Sequence, residues 1–518
     1  MSKERSEALF TLIKSLKKSE KRYFKVSEAV EGDKKYIRLF NIIDKQEAFD
    51  HDQVLLADPD FKSSQLSNLK AHLYQKVLQS LRSYSASSVP SIKIHDLIDH
   101  AQILFNKSLY DQCAQTLKKA KKLAIKSDNL ELQLEILKWE KSVIPHISTR
   151  ETRSRVHLII NDVQEVTKRI NNINNFTNLQ VRLQSMYRKI GFIRNETDYI
   201  TIKKEFYGLL ENFKEDNLSI SEKISLYSLY IGYYFFIQDF ESGYDFAKKW
   251  VKLFDGEKTL IVSKLEMYIT GLNNLLIAQN KLSKYREFQS TRRALRSLNN
   301  LSSVRLNENI RLKLLKYTYV HEFNRLFMLG DFERGVELIE RIRPGLEQFI
   351  SQLDPHSRMI LFYKTACLYF GNNDFKTAIN WLNKIINSAD VDLREDIHGF
   401  ARILNLISHF ELGNMELIEY YVRSTYRFLL KKEDLHQYQK YILNFLKRLN
   451  NSITNDELIS RFNNLRNNLL PLADDPYEKR PFIYFDIISW LESKIENRYV
   501  RDIIKEKAAT KHQEEIFS

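Results

Sequence analysis

Glycine and proline are scarce in this chain, 13 and 8 in 518 residues, together roughly a third of average usage. Folds rich in strands and loops draw on both for positive-φ turns and rigid corners. Their shortage excludes such folds and predicts an all-α protein. Cysteine is nearly absent. Cys113 and Cys367 are too few for a disulfide framework and lack the spacing of a metal site. In their apolar helical settings they read as small buried side chains. Long apolar runs are missing too. The longest, 229–237, has nine residues, against about 20 needed to span a bilayer. The N-terminus, MSKERSEALF, is charged from its third residue and has no secretory apolar segment. These absences predict a cytoplasmic protein without membrane insertion.

Catalytic signatures are also lacking. The chain contains no P-loop, GxSxG, HExxH or CxxC. His95 and His100 flank Asp96 and Asp99, but a spacing of five does not set two histidines on one helical face. The expectation is a non-enzyme with no cofactor, no metal and no small-molecule substrate.

What the chain does have is helical periodicity with regular stops. In "LYFGNNDFKTAINWLNKII", 368–386, Gly371-Asn372 can close one helix in the left-handed conformation and Asn373 or Asp374 can cap the next. Asp354-Pro355 is a start signal for the first of these helices. Similar stops stand at 108, 198, 239, 281, 331 and 414. From 198 onward they are 40 to 50 residues apart. After most of them a large apolar residue is followed three positions later by a small one: Phe240 and Gly243, Phe332 and Gly335, Phe375 and Ala378. Small side chains let paired helices approach closely. A period of this size predicts stacked helical hairpins that share an extended core.

The stretch 359–386 resembles a tetratricopeptide repeat through Phe362, Ala366, Tyr369, Ala378 and Leu382. Thr365 stands where that family has leucine, Leu382 where it has an aromatic, and the spacing exceeds the family's 34 residues. The resemblance covers 92–450 and implies a right-handed superhelical solenoid of antiparallel helix pairs with a period of about 40–43 residues. It also implies a scaffold or adaptor that binds a protein or peptide. Outside the repeats, 1–88 reads as a small helical domain with helices near 5–17, 19–30, 33–46 and 63–84. The polar stretch 83–91 reads as a boundary. Residues 451–518 read as a proline-punctuated connector, one capping helix with the stripe Phe485, Ile488, Leu491 and Ile495, and a tail frayed after Ala508.

The net charge of +14 is concentrated. Residues 1–25 hold eight Lys/Arg against three Glu, and 281–330 hold eleven against three. In 281–330, basic residues occupy positions where the repeat pattern asks for apolar ones. Either the helix register is shifted, with Tyr285, Phe288, Leu295 and Leu298 inward, or Lys284, Arg286, Arg292, Arg293, Arg296, Arg305 and Arg311 form a basic patch on a concave surface. Arginine forks there would suit an acidic protein partner, with nucleic acid as the alternative. The alternative function is a nucleic-acid-associated regulator. In it, Lys17, Lys18, Lys21, Arg22 and Lys25 touch phosphates. Gln65, Asn68 and Lys70 then lie on a helix-turn-helix-like recognition helix.

Overall fold

The computed structural model of the chain describes residues 2–30, 34–85, 89–147, 152–193, 195–207, 215–301, 304, 307–388, 394–432, 435–449, 454–479, 482 and 485–517. Among them there are twenty-five α-helices and no strand. The first five are α1 (Ser2–Ser15), α2 (Lys18–Val30), α3 (Lys34–Lys45), α4 (His51–Ala57) and α5 (Ser63–Ser85). Next come α6 (Pro90–Asn106), α7 (Tyr110–Lys126), α8 (Leu130–Val143), α9 (Thr152–Ile190) and α10 (Glu196–Tyr207). The middle of the chain forms α11 (Ile220–Phe236), α12 (Phe240–Lys252), α13 (Lys258–Ser263), α14 (Leu265–Lys281) and α15 (Tyr285–Ser297). It continues with α16 (Glu308–Leu329), α17 (Phe332–Ser351), α18 (Pro355–Gly371), α19 (Phe375–Ile386), α20 (Glu395–Glu411) and α21 (Met415–Lys431). The last are α22 (Gln437–Lys447), α23 (Asn455–Leu469), α24 (Ile487–Ile495) and α25 (Val500–Phe517). Contacts divide the chain into two compact units, 1–168 and 169–518.

One turn recurs. Ser108, Asp128, Gln238, Ser283, Gly330, Asn373, Gly413 and Asn497 each adopt a left-handed backbone between two helices. In each case the next amide donates to the carbonyl five residues back. Asp239 reaches Tyr234, Asp331 reaches Leu326 and Asp374 reaches Tyr369, all at 2.9 Å. This six-to-one bond satisfies a carbonyl orphaned at the helix end. The same residue often caps the next helix: the Asp239 and Asp374 carboxylates accept from the Ser242 and Thr377 amides at 3.0 Å. A three-residue turn therefore ends one helix and starts its antiparallel neighbour, and successive helices pack as pairs.

Three expected turns fall elsewhere. At 371–374 the left-handed residue is Asn373, not Gly371 or Asn372. Gly371 is the last residue of α18, and glycine is needed there because a Cβ would strike the Phe332 ring. The turn expected at 281 centres on Ser283. Asp198 lies inside α10. Gly191, at φ +80°, ends α9, and Asn195 caps α10 by accepting from the Asp198 amide at 2.9 Å. The small residues behave as their spacing predicts. A Cβ on Gly243 would stand 2.6 Å from Phe235, and one on Gly335 2.7 Å from Leu368.

In the first unit, α1–α5 enclose Leu9, Phe24, Phe40 and Val77, while α6–α8 enclose Ile94, Cys113 and Ile136. Arg82 on α5 donates to both Asp96 and Asp99 on α6 at 2.8 Å. Those aspartates are thus occupied by a guanidinium. The short helix α4 is missing from the sequence reading; Asp50 caps it by accepting from the Asp52 and Gln53 amides.

In the second unit the hairpins α11/α12, α14/α15, α16/α17, α18/α19 and α20/α21 follow one another. The last three share a core running from Phe323 to Val500, while α11, α12 and α14 enclose Ile231, Trp250 and Ala278, and α14–α16 enclose Ile269, Phe288 and Leu314. The end of α9 meets the start of α20. The Arg394 amide donates to the Arg188 carbonyl at 2.7 Å. The Arg394 guanidinium forms two 2.8 Å bonds to the Asp396 carboxylate and lies 4.8 Å from the Tyr187 ring centroid. Asp396 fits only because Gly191 carries no Cβ. The C-terminal stretch also differs from the single capping helix expected. Leu470–Ala473 is a 3₁₀ turn, and the Gln238 side chain donates to the Pro476 carbonyl at 3.1 Å. Phe485 packs edge-on to Phe370, and the Trp490 indole donates to Glu411 at 2.6 Å. Asn497 then reverses the chain into a further helix, α25. It packs so closely on the turn at Gly330 that a Cβ there would lie 2.8 Å from the Lys505 nitrogen. The helix runs to Phe517, past Ala508, through good helix formers. Pro481 lies outside the described residues.

Arg394 and Asp396 are 1% and 0% exposed. Removing one partner of a buried pair leaves a charge without compensation. Asp396→Ala is expected to destabilise the second unit by about 3–5 kcal/mol, measured by chemical denaturation.

Candidate functional site

A cavity of about 490 Å³ lies inside the second unit, within the range of roughly 300–1,000 Å³ typical of ligand sites. The first helix of each hairpin, together with the end of α9, supplies nearly all of its lining. Gln180 to Arg188 come from α9, and Gly232, Phe235 and Phe236 from α11. Asn273 to Lys281 come from α14, Lys316 to Phe327 from α16, and His356 to Cys367 from α18. Arg394 and Ile397 complete it beside α9. The second helices α15, α17, α19 and α21 contribute no lining residue among those described, and α12 contributes only Phe240.

The lining is basic. Arg188, Lys281, Lys316, Lys364 and Arg394 face it, and none of its described residues is Asp or Glu. Lys364 donates to the Asn324 side-chain oxygen at 2.6 Å, and its ammonium stands 5.5 Å from the Phe327 ring centroid. Burial pulls its pKa down to about 8. Lys281 falls further, to about 7, through burial and then the neighbouring charges of Lys364 and Arg394. Lys316 donates to the Ser357 hydroxyl at 3.0 Å and is lowered by burial. His356 is held neutral, its pKa pushed to about 3 by burial and then by Arg394, and its Nδ1 has no hydrogen-bond partner. Behind the wall His321 is wholly buried, 3.0 Å from the Asn273 side-chain oxygen, with its pKa near 3. Burial drives the Cys367 thiol up to about 12, so it is not a nucleophile at neutral pH. The result is a site of desolvated cations, amides and rings, suited to holding an anion.

The arginine-rich region of the sequence lies elsewhere. Phe288, Leu295 and Leu298 turn into the core, which settles the register of α15. Arg286, Arg293 and Arg296 therefore lie on its exposed side. Arg292 pairs with Glu322, Arg311 with Glu308, and Lys284 sits 3.9 Å from Glu241. None of these side chains lines the cavity: α15 is the outer helix of its pair, and Arg311, near the start of α16, is held by Glu308 one turn away. Arg305 lies outside the described residues. From the same region, Lys281 and Lys316 do reach the cavity.

In the first unit Lys18 and Arg22 are exposed, as are Gln65 and Asn68 on α5. Lys21 pairs with Asp44 at 2.5 Å, Lys17 is half-buried, and the Lys25 ammonium is 5.4 Å from the Phe40 ring centroid. Lys70 is buried, 5.0 Å from the Phe49 ring centroid, and not on the exposed face with Gln65 and Asn68.

No protein-family model matches this chain, no curated protein matches it, and no solved structure matches it.

The shifted groups set a pH dependence. His321 and His356 titrate near 3 in the fold and near 6.5 when unfolded. Between those values the unfolded chain binds more protons, so stability falls as pH is lowered from 6.5 towards 3. Lys281 and Lys364 add a rise in stability from about pH 7–8 up to 10.5, by the same sign. Thermal melts across pH should reveal both slopes, and His356→Phe should flatten the acidic one.

Proposed function

We propose that this chain is a non-enzymatic binding protein, a scaffold or adaptor that holds an acidic peptide segment of a partner protein in the cavity of its helical-repeat array. The observation that carries the reading is the cavity's charge: five Lys/Arg side chains and no carboxylate among the described lining. Burying ammonium groups costs free energy unless they are paired. Lys364 has a neutral amide as its hydrogen-bond partner. An arriving carboxylate gives the Lys364 ammonium a charged partner in a low-dielectric setting, where each contact counts for more than in water. Asn273, Asn274, Asn280 and Asn324 add amides able to bond a peptide backbone. In this reading the array is a right-handed, tetratricopeptide-like solenoid working in the cytoplasm. Its rigid helices limit the entropy lost on binding.

A second reading places the first unit on nucleic acid. Gln65 and Asn68, exposed on α5, and Lys18 and Arg22, exposed on α2, favour it. Reversing Lys17, Lys18, Lys21 and Arg22 separates the two. Under the scaffold reading acidic-peptide binding is unchanged. Under the regulator reading a salt-sensitive nucleic-acid affinity disappears.

The scaffold reading is tested by titrating acidic peptides into the full chain by calorimetry. Lys281→Glu with Lys364→Glu should weaken binding at least a hundredfold, the scale of two charge-assisted contacts worth about 1.5–3 kcal/mol each. Equal affinity in the variant would remove the cavity from the mechanism.

A further inference from the structure

The cavity's cations are unevenly placed, and although Tyr317, Phe327 and Tyr363 stand among them, the other five lining aromatics gather on the remaining elements. On the side built by α9, α11 and the start of α12 stand Tyr187, Phe192, Phe235, Phe236 and Phe240, with Arg188 the only cation. On the side built by α14, α16, α18 and the start of α20 stand Lys281, Lys316, Lys364 and Arg394. The aromatic side is fixed in place. Phe235 is pressed against Gly243, where a Cβ would stand 2.6 Å away. Its ring centroid lies 5.7 Å from that of Phe240, and Phe240 lies 6.1 Å from Phe192. Tyr187 lies 5.7 Å from Phe192 and 4.8 Å from the Arg394 guanidinium, so it joins the two sides.

There is room between the rings. Gly232 lies on the same face of α11 as Phe235 and Phe236, three and four residues on. Gly232 is exposed, and a Cβ built there would meet no atom within 4 Å. A glycine inside a helix costs about 0.5–1 kcal/mol relative to alanine. Its neighbours do not demand that cost here, since the space beside it is empty. What the glycine does provide is an opening onto an aromatic wall.

We propose that the occupant of this cavity pairs an aromatic ring with its anionic group: a peptide segment in which a Phe, Tyr or Trp side chain lies beside an acidic residue. The ring stacks at Gly232 against Phe235 and its neighbours. The carboxylate meets Lys281 and Lys364 across the cavity. Offset or edge-on ring contacts add to the charge pairing and select against equally acidic segments without a ring. This inference rests on the acidic-peptide reading and narrows it.

The test uses the full chain and two N-acetylated, C-amidated peptides of equal charge, Asp-Phe-Glu-Asp and Asp-Ala-Glu-Asp, with phenyl phosphate and inorganic phosphate alongside. The phenylalanine peptide is expected to bind at least tenfold more tightly than the alanine peptide. That advantage disappears in Gly232→Trp, which fills the opening, and in Phe235→Ala. Circular dichroism and thermal melts verify that both variants fold. Retention of the advantage in a folded Gly232→Trp protein overturns the proposed ring position. Equal affinity of the two peptides overturns the ring requirement and leaves the acidic-peptide reading standing. Phenyl phosphate binding as tightly as the phenylalanine peptide, with inorganic phosphate inert, keeps the ring-and-anion pairing but makes a free aromatic anion the occupant. Failure of all four probes to bind removes both readings.

Discussion

The guanidinium of Arg394 and the carboxylate of Asp396 are almost free of solvent, and around them the end of α9 is held to the beginning of α20. Everything that makes the second unit more than a row of hairpins depends on that junction. Four hairpins separate the two helix ends in sequence. When they meet, the inner faces of the intervening helices surround a space that an open row would leave to bulk water. Arg394 adopts a left-handed backbone to do this, at φ +53°. That conformation costs about 1–2 kcal/mol for a residue other than glycine. The Arg188 carbonyl, the Asp396 fork and the Tyr187 ring together offset it.

Enclosure explains the chemistry of the lysines. On an open surface Lys281 and Lys364 would keep ordinary ammonium pKa values and a full hydration shell. Inside, they lose water and face each other and Arg394, with no acid among the described lining residues. The fold thus holds positive charge where it is least comfortable, as sites built for anions do. The C-terminal stretch acts from outside. It reaches Gln238, the turn at Gly330 and the Phe370 ring, and so contacts three of the hairpins.

The helix pairs were legible in the sequence because their turns are local. Asp239 and Asp374 each close the turn after one helix and cap its successor, and both roles follow from neighbours within five residues. Which residue goes left-handed was less legible. Ser108, Gln238, Ser283 and Asn373 hold positions that glycine would fill more easily, so a search for glycine points two residues early at 371. The cavity could not be read at all from periodicity. Its cations come from five segments between Arg188 and Arg394, brought together by one long-range junction. A local signal did exist. Lys364 interrupts a largely buried helix of the best repeat, between the buried Tyr363 and Thr365. The eleven basic residues of 281–330 are the stronger signal in the sequence, yet only Lys281 and Lys316 among those described line the cavity, while Lys284, Arg292 and Arg311 stand beside acids.

The eight left-handed turns have a kinetic consequence. Each hairpin closes through contacts between residues close in sequence, and such contacts form quickly because little loop entropy is lost in making them. The junction of Arg188 with Arg394, and that of Gln238 with Pro476, join residues hundreds of positions apart. Folding therefore proceeds in two regimes, a fast zipping of pairs followed by a slow search for ring closure. During that interval the chain is already helical and already has its turns, but it has no interior. The cavity is then the last feature this chain acquires as it folds.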